Sequence, residues 1–213
     1  MCNLASAALL LGTAAAANAE PVTIAALGDS LTEGYGLPPE DGFVPQLQAW
    51  LDAKGAEVTV LNAGVSGDTT AGGLARVDWT LTDEVDAMIV ALGGNDMLRG
   101  LPPEEARSNL DGILAAADAR GIPVLVAGMK APGNFGPDYK AAFDAIYPDL
   151  AASHDALLID NFVGPVQDAL RTGAAQADLV QADGIHPTKA GVAMIVEAVG
   201  PSVLDLIERA TAD

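Results

Sequence analysis

Short runs of consecutive apolar residues alternate along the chain with longer segments in which apolar positions recur every three or four residues. Val22 to Leu27 reads as a buried strand, as do Val58 to Leu61, Ala87 to Leu92, Val124 to Ala127 and Ala156 to Ile159. Their nearly unbroken apolar character predicts strands covered on both faces. Between them the periodicity turns helical. In Pro103 to Arg120 the residues Ala106, Leu110, Ile113, Leu114 and Ala117 fall on one stripe. Pro102-Pro103 suits the first turn of that helix, and Gly121 followed by Pro123 ends it. Phe43 to Lys54, Thr69 to Leu81, Asp138 to Ser153 and Thr188 to Ala210 read as further helices. Five strands separated by helices imply an α/β fold with a parallel, doubly wound sheet and right-handed crossovers. In such sheets ligands bind beyond the carboxyl ends of the strands, so chemistry is expected there.

The first residues follow a different pattern. Leu4 to Ala17 is apolar and free of charge, and it ends in the small-x-small stretch Ala17-Asn18-Ala19. This predicts a signal peptide over residues 1–19, cleaved before Glu20, and hence a periplasmic or secreted protein, although Met1-Cys2-Asn3 supplies no Lys or Arg. The run is too short to span a bilayer. Residues 20–213 then suit one domain without repeats or linkers, and no later apolar run approaches membrane-spanning length, which argues against stable membrane insertion.

Composition narrows the function classes. With half of its residues hydrophobic, the chain is not disordered. Ten basic against 29 acidic residues give a formal charge of −19, which repels nucleic acid and anionic headgroups and reads as a solubilising surface. The one cysteine, Cys2, lies inside the proposed leader. Residues 20–213 therefore offer no disulfide, thiolate metal site or cysteine nucleophile.

Gly28-Asp29-Ser30-Leu31-Thr32 follows the first strand, on a strand-to-helix turn. A serine there is equally a helix N-cap or a nucleophile, and a nucleophile needs a base. Of the two histidines, His154 reads as a surface residue at a helix end. His186 lies in Asp183-Gly184-Ile185-His186-Pro187, a loop entering the last helix. The three-residue spacing lets one loop supply both base and orienting carboxylate, although Asp183 read alone is as well a turn cap. Asn62 to Thr69 follows the second strand and Gly93-Gly94-Asn95-Asp96 the third. The backbone amides of Gly67 and Ser30 and the side chain of Asn95 can serve as donors to a developing oxyanion, though each loop alone is also an ordinary turn. The combination is what counts: four polar clusters at one predicted sheet edge contain the parts needed for acyl transfer.

Taken together, Gly28-Asp29-Ser30-Leu31, Gly67, Gly93-Gly94-Asn95-Asp96 and Asp183-Gly184-Ile185-His186-Pro187 resemble the GDSL/SGNH hydrolase family. Within it, Ser66-Gly67-Asp68-Thr69, Gly72-Leu74-Ala75-Arg76, Leu98-Arg99-Gly100 and Ala145-Ile146-Tyr147-Pro148 look closest to the bacterial arylesterase, acyl-CoA thioesterase I and lysophospholipase L1 branch. The resemblance implies a three-layer α/β/α sandwich of flavodoxin type with a five-stranded parallel sheet. It implies Ser30 as nucleophile, Asp183 and His186 as the rest of a triad, and Ser30, Gly67 and Asn95 as the oxyanion hole. The Gly-x-Ser-x-Gly elbow of ordinary α/β-hydrolases is absent, since Thr32 stands at its second glycine.

The expected reaction is hydrolysis of a small acyl ester, thioester or lysophospholipid without metal or organic cofactor, by a monomer or weak oligomer. Met97, Leu98 and Leu101 after the oxyanion loop, with Pro132 and Phe135 after the fourth strand, are expected to line an acyl pocket. That lining and an aromatic content of 4% favour acyl chains over sugars, which keeps a carbohydrate acetylesterase as the alternative on the same fold. Two further rivals are a metal-dependent phosphoesterase using Asp29, Asn95, Asp183 and His186, which is short of histidines, and a non-catalytic binding domain.

Overall fold

The structure, a computed structural model, describes residues 21–212, so the leader expected over 1–19 lies outside the described residues. Strands β1 (Val22–Gly28), β2 (Val58–Gly64), β3 (Ala87–Ala91), β4 (Val124–Ala127) and β5 (Leu157–Ile159) form one parallel sheet in the order β2-β1-β3-β4-β5. The chain winds outward from β1 to β2, then returns across β1 to build the other half. The strand order therefore reverses between β1 and β3, the place where doubly wound sheets open a crevice.

Helices run in chain order as α1 (Ser30–Glu33), α2 (Phe43–Ala53), α3 (Thr70–Thr80), α4 (Gly94–Leu98) and α5 (Pro103–Asp118). They continue as α6 (Pro137–Asp144), α7 (Ile146–Ser153), α8 (Gly164–Arg171), α9 (Gln176–Leu179) and α10 (Lys189–Thr211). Side-chain alternation along the strands splits the core into two layers. Ile24 and Ala26 of β1 join Ile89, Leu125 and the buried faces of α2 and α10. Ala25 and Leu27 join Met88, Val90 and the faces of α3, α5 and α7. Each fully buried aliphatic side chain, such as Ile24, Leu47 or Ile113, contributes about 1.5–3 kcal/mol relative to exposure.

Three expectations need correction. The outer strand β2 is not covered on both faces: Thr59, Leu61 and Asn62 are exposed, and the strand runs on to Gly64. Its open edge is closed instead by Gln48 of α2, whose side chain accepts from Val60 N at 2.8 Å and donates to Val58 O at 2.9 Å. The single helix expected over 138–153 breaks at Ala145 into α6 and α7. Pro148 is the cause, since it has no N–H for the carbonyl of Asp144 and its ring crowds that carbonyl. Finally, α10 is long and apolar enough by composition to cross a membrane, against the expectation that no later run reaches that length. It lies in the fold as a core helix, with Val192, Ile195, Val196, Val199, Val203 and Leu206 buried against the sheet and α2.

Candidate active site

Gly28, Gly64 and Ala91 end their strands in register, so the segments that follow them emerge side by side. Gly28 ends β1 directly under the first turn of α1. A Cβ there would overlap Thr32 Oγ1 and lie 2.6 Å from Thr32 Cβ, so only glycine lets α1 fold back onto the strand end.

The cap of α1 is Asp29, not Ser30. The buried Asp29 carboxylate accepts from Leu31 N at 3.0 Å, the usual N-cap bond. Ser30 is consequently the first helical residue, and its hydroxyl is free for another partner. That partner is His186: Ser30 Oγ donates to Nε2 at 2.8 Å. His186 Nδ1 donates in turn to Asp183 Oδ2 at 2.7 Å, which places the ring proton on Nδ1 and leaves Nε2 as acceptor.

Asp183 is both turn cap and orienter. Its Oδ1 accepts from Ile185 N at 2.9 Å and His186 N at 3.1 Å, while Gly184 takes the left-handed φ of +75° that this turn requires. The Ile185 N–H and then the His186 ring hold the Asp183 carboxyl down at about 2. It is thus a carboxylate whenever His186 needs one.

Two loops bring up the remaining donors. Asn95, in α4, donates through Nδ2 to Asp68 O at 2.9 Å and, more loosely, to Asp29 Oδ2 at 3.3 Å. Gly67 has a φ of +81°, and its carbonyl accepts from the Arg99 guanidinium at 2.8 Å. Its N–H has no protein acceptor among the described residues. The Ser30 N–H belongs to the first helical turn, whose amides have no intrahelical acceptor. The Ser30 and Gly67 N–H groups and the Asn95 amide thus stand on the segments that follow β1, β2 and β3, and they are the donor types that acyl transfer uses.

Several supports were not legible as site residues. Arg76 of α3 donates to Gly28 O at 2.9 Å, to Ala63 O at 2.7 Å and to the Asp68 carboxylate at 2.7 Å, tying the ends of β1 and β2 to the loop that meets Asn95. Buried Asp96 accepts from Thr70 N at 2.9 Å and Thr70 Oγ1 at 2.6 Å, joining the loops after β2 and β3. The Tyr147 hydroxyl donates to Leu92 O at 3.1 Å and fills the space where a Gly93 Cβ would stand. Arg76, Asp96 and Tyr147 stand within the motifs that carry the resemblance, but local sequence does not show which groups they bind. Asp29 is a further case: burial lifts its carboxyl to about 6, against the pull of the Leu31 N–H and of the nearby His186.

None of the five residues expected to line an acyl pocket borders the recess at Ser30, which is formed by Leu31, Gly34, Tyr35, Leu37, His186, Pro187 and Val192. Met97 is half-buried and packs on the core layer that holds Leu27, Met88 and Val90, whereas Leu98 and Phe135 are exposed. Phe135 covers Gly100 and lies 5.0 Å from the Tyr139 ring, and Tyr139 donates to Leu101 O at 3.1 Å, so the two segments meet. Pro132 is exposed at the start of the turn that carries Phe135. His154 caps the end of α7 and is held between Asp118 and Asp111 of α5, outside the triad. The donors that a phosphoesterase would recruit are engaged with one another, since Asp183 and Asp29 turn their oxygens to His186, to backbone N–H groups and to Asn95. No group of three His, Cys, Asp or Glu side chains among the described residues is arranged to hold a metal ion.

The chain matches the model of the GDSL-like lipase/acylhydrolase family over residues 26–194. It is 39% identical over 186 residues to the esterase TesA of Pseudomonas aeruginosa, covering 87% of this chain and 89% of that protein. It is 34% identical over 202 residues to thioesterase 1/protease 1/lysophospholipase L1 of Escherichia coli, covering 94% and 91%. Among solved structures, it superposes on AlinE4, an SGNH-hydrolase family esterase, with a TM-score of 0.70 and 44% identity, over 89% of this chain and 98% of that one.

Proposed function

The chain belongs to the GDSL-like lipase/acylhydrolase family, and from that membership and its site geometry we propose that it hydrolyses carboxylic esters and thioesters through an acyl-enzyme on Ser30. The observation that carries this reading is the unbroken hydrogen-bonded line from Ser30 Oγ through His186 to Asp183. His186 Nε2 takes the Ser30 proton as Oγ bonds to the acyl carbon, and Asp183 stabilises the imidazolium that forms. The carbonyl oxygen becomes an oxyanion facing the amides of Ser30 and Gly67 and the Asn95 side chain, whose looser contact to Asp29 yields to it. Collapse breaks the bond to the leaving alcohol or thiol, which receives the proton from His186. Water, deprotonated by the same ring, then releases the acid and restores Ser30.

An apolar acyl group is favoured by the surface around the site. Seven large hydrophobic side chains are exposed among the described residues, and five of them, Tyr35, Val65, Leu98, Phe135 and Ile185, stand on segments at the carboxyl edge of the sheet. Such clustering marks a ligand surface more than scattered exposure does. The recess beside Ser30, lined by Leu31, Gly34, Tyr35, Leu37 and His186, is too slight to enclose even a water molecule. A shallow recess and an open apolar rim suit a linear acyl chain laid over the surface better than a buried sugar.

The test is turnover of p-nitrophenyl esters from acetyl to palmitoyl, with acyl-CoA and lysophospholipid alongside. Ser30→Ala is expected to abolish turnover while circular dichroism stays native, and a fluorophosphonate is expected to label Ser30. Full activity of Ser30→Ala, or loss of activity on adding EDTA, would overturn the proposal.

A further inference from the structure

His186 reaches Ser30 from a loop that approaches the nucleophile only through tertiary contacts, and one side chain bridges the two segments. Gln181 stands five residues before His186, just after an isolated bridge between Val180 and Pro187. Its Nε2 donates to Tyr35 O at 2.9 Å and to Pro187 O at 2.9 Å. Both N–H bonds of the amide are thereby used, one on the nucleophile segment and one on the histidine segment. Its own backbone N–H donates to His186 O at 2.8 Å.

The other end of the bridge is equally fixed. Tyr35 N donates to Ser30 O at 3.1 Å, so the Tyr35 carbonyl that Gln181 grips is one hydrogen bond away from the nucleophile's own peptide. The Tyr35 ring lies against the imidazole, with centroids 4.6 Å apart and planes tilted by 40°. Gly36, at a φ of +75°, leaves the space the amide occupies, because a Cβ there would overlap Gln181 Oε1. Gln181 thus holds the main chain behind His186, and Tyr35 holds the ring in front.

We propose that Gln181, with the Tyr35 ring, is a positioning element that sets the distance between Ser30 Oγ and His186 Nε2 for the hydrolytic reaction. This rests on the reading of Ser30 as nucleophile. The physical reason is that the two atoms belong to loops 156 residues apart, and a transfer geometry lost by about 1 Å lowers the rate by about 100-fold. The Asp183 bonds fix His186 only within its own loop, so they cannot hold that loop against α1. Gln181 spans the gap with its side-chain amide, whose N–H bonds end on the carbonyls of Tyr35 and Pro187.

The test compares wild type, Gln181→Met, Tyr35→Leu and Tyr35→Phe by steady-state kinetics and by timed labelling with a fluorophosphonate, calibrated to the fraction of protein that finally labels. Met keeps the length of Gln and removes both donors. Gln181→Met is expected to label to the same end point as wild type but about 10- to 100-fold more slowly, with kcat lowered by the same factor and KM within about threefold. Tyr35→Leu is expected to behave likewise, and Tyr35→Phe, which keeps the ring, to restore most of the rate. Gly36→Ala, which pushes the amide aside from the opposite direction, is expected to slow labelling as well. A purely structural role predicts the opposite pattern: a lower melting temperature and a smaller labelled fraction, with an unchanged rate for the fraction that labels. That result overturns the proposal. Failure of the wild type itself to label would overturn the nucleophile assignment instead, so the two failures are told apart.

Discussion

Ser30 Oγ lies 2.8 Å from His186 Nε2 although 156 residues of chain separate them, and the contact exists because Asp29, one residue earlier, takes the cap of α1. A Ser30 cap would turn the hydroxyl toward the helix amides and away from the histidine. The division of labour between two adjacent residues is therefore what makes the serine available.

Asp183→Asn is expected to lower kcat by about 10⁴-fold with KM little changed, a figure taken from the equivalent change in another serine hydrolase triad. The amide cannot accept from Nδ1–H with the same strength and favours the wrong tautomer. With the wild-type carboxyl held at about 2, activity lost on acidification between pH 7 and 4 does not come from Asp183. Its stabilising bonds are fully present above the unfolded carboxyl value of 3.8 and fade only as pH falls through the folded one. Titration of the Asp183 carboxyl itself between pH 4 and 7, followed by NMR, would contradict this.

Asp29→Asn separates capping from charge. Burial raises the Asp29 carboxyl from 3.8 to about 6, so the folded state holds its proton more tightly than the unfolded state does. The sign follows: between about pH 4 and 6 the folded chain carries the extra proton, and stability from this group falls as pH rises through that window. Above it, the ionised buried carboxylate opposes folding by about 3 kcal/mol. Chemical denaturation at pH 4 and pH 8 should therefore show the wild type gaining on Asp29→Asn at the lower pH. A difference independent of pH would show that the Asp29 carboxyl is not raised by burial.

Gly28→Ala is expected to destabilise by about 1–3 kcal/mol and to lower kcat, because the new methyl group meets Thr32 Oγ1 and Cβ and must push α1 off the strand end. Melting temperature and kcat measured on the same preparation check it. Unchanged values for both would mean that α1 can shift freely, against the packing described.

His154→Gln tests the clamp between α7 and α5. Burial pulls the imidazole down, but hydrogen bonds to Asp118 at 2.6 Å and Asp111 at 3.0 Å more than offset it, so the folded value stands above the ordinary 6.5. Stability from this group is fully present below pH 6.5 and is lost as pH rises through the folded value. The substitution should destabilise at pH 6 and matter less at pH 9, with turnover per folded molecule unchanged. Equal destabilisation at both values would show that the charge plays no part.

Much of this was readable along the chain. The central strands β1, β3 and β4 appear at their predicted places because an apolar run with both faces buried has a distinct local signature, and helix α5 begins and ends on its prolines and glycine as local turn chemistry dictates. The four motif clusters were legible for a similar reason: each directly follows a strand or enters a helix, at the edge where a doubly wound sheet leaves backbone open. The edge strand β2 misled because half-exposure depends on where the sheet ends, which local composition does not record.

What the sequence determined by itself is the class of fold, the order of its elements and the residue types available for acyl transfer, since periodicity, turn residues and motif order are local properties. Only the tertiary structure decided which residue caps α1, that Arg76 ties Gly28, Ala63 and Asp68 together, and that Gln181 spans from Pro187 to Tyr35. Those relations join groups up to 146 residues apart and exist only once the strand order β2-β1-β3-β4-β5 has brought the loops to one edge. The polar partners of Ser30 are present in the sequence, but its 2.8 Å contact with His186 belongs to the fold.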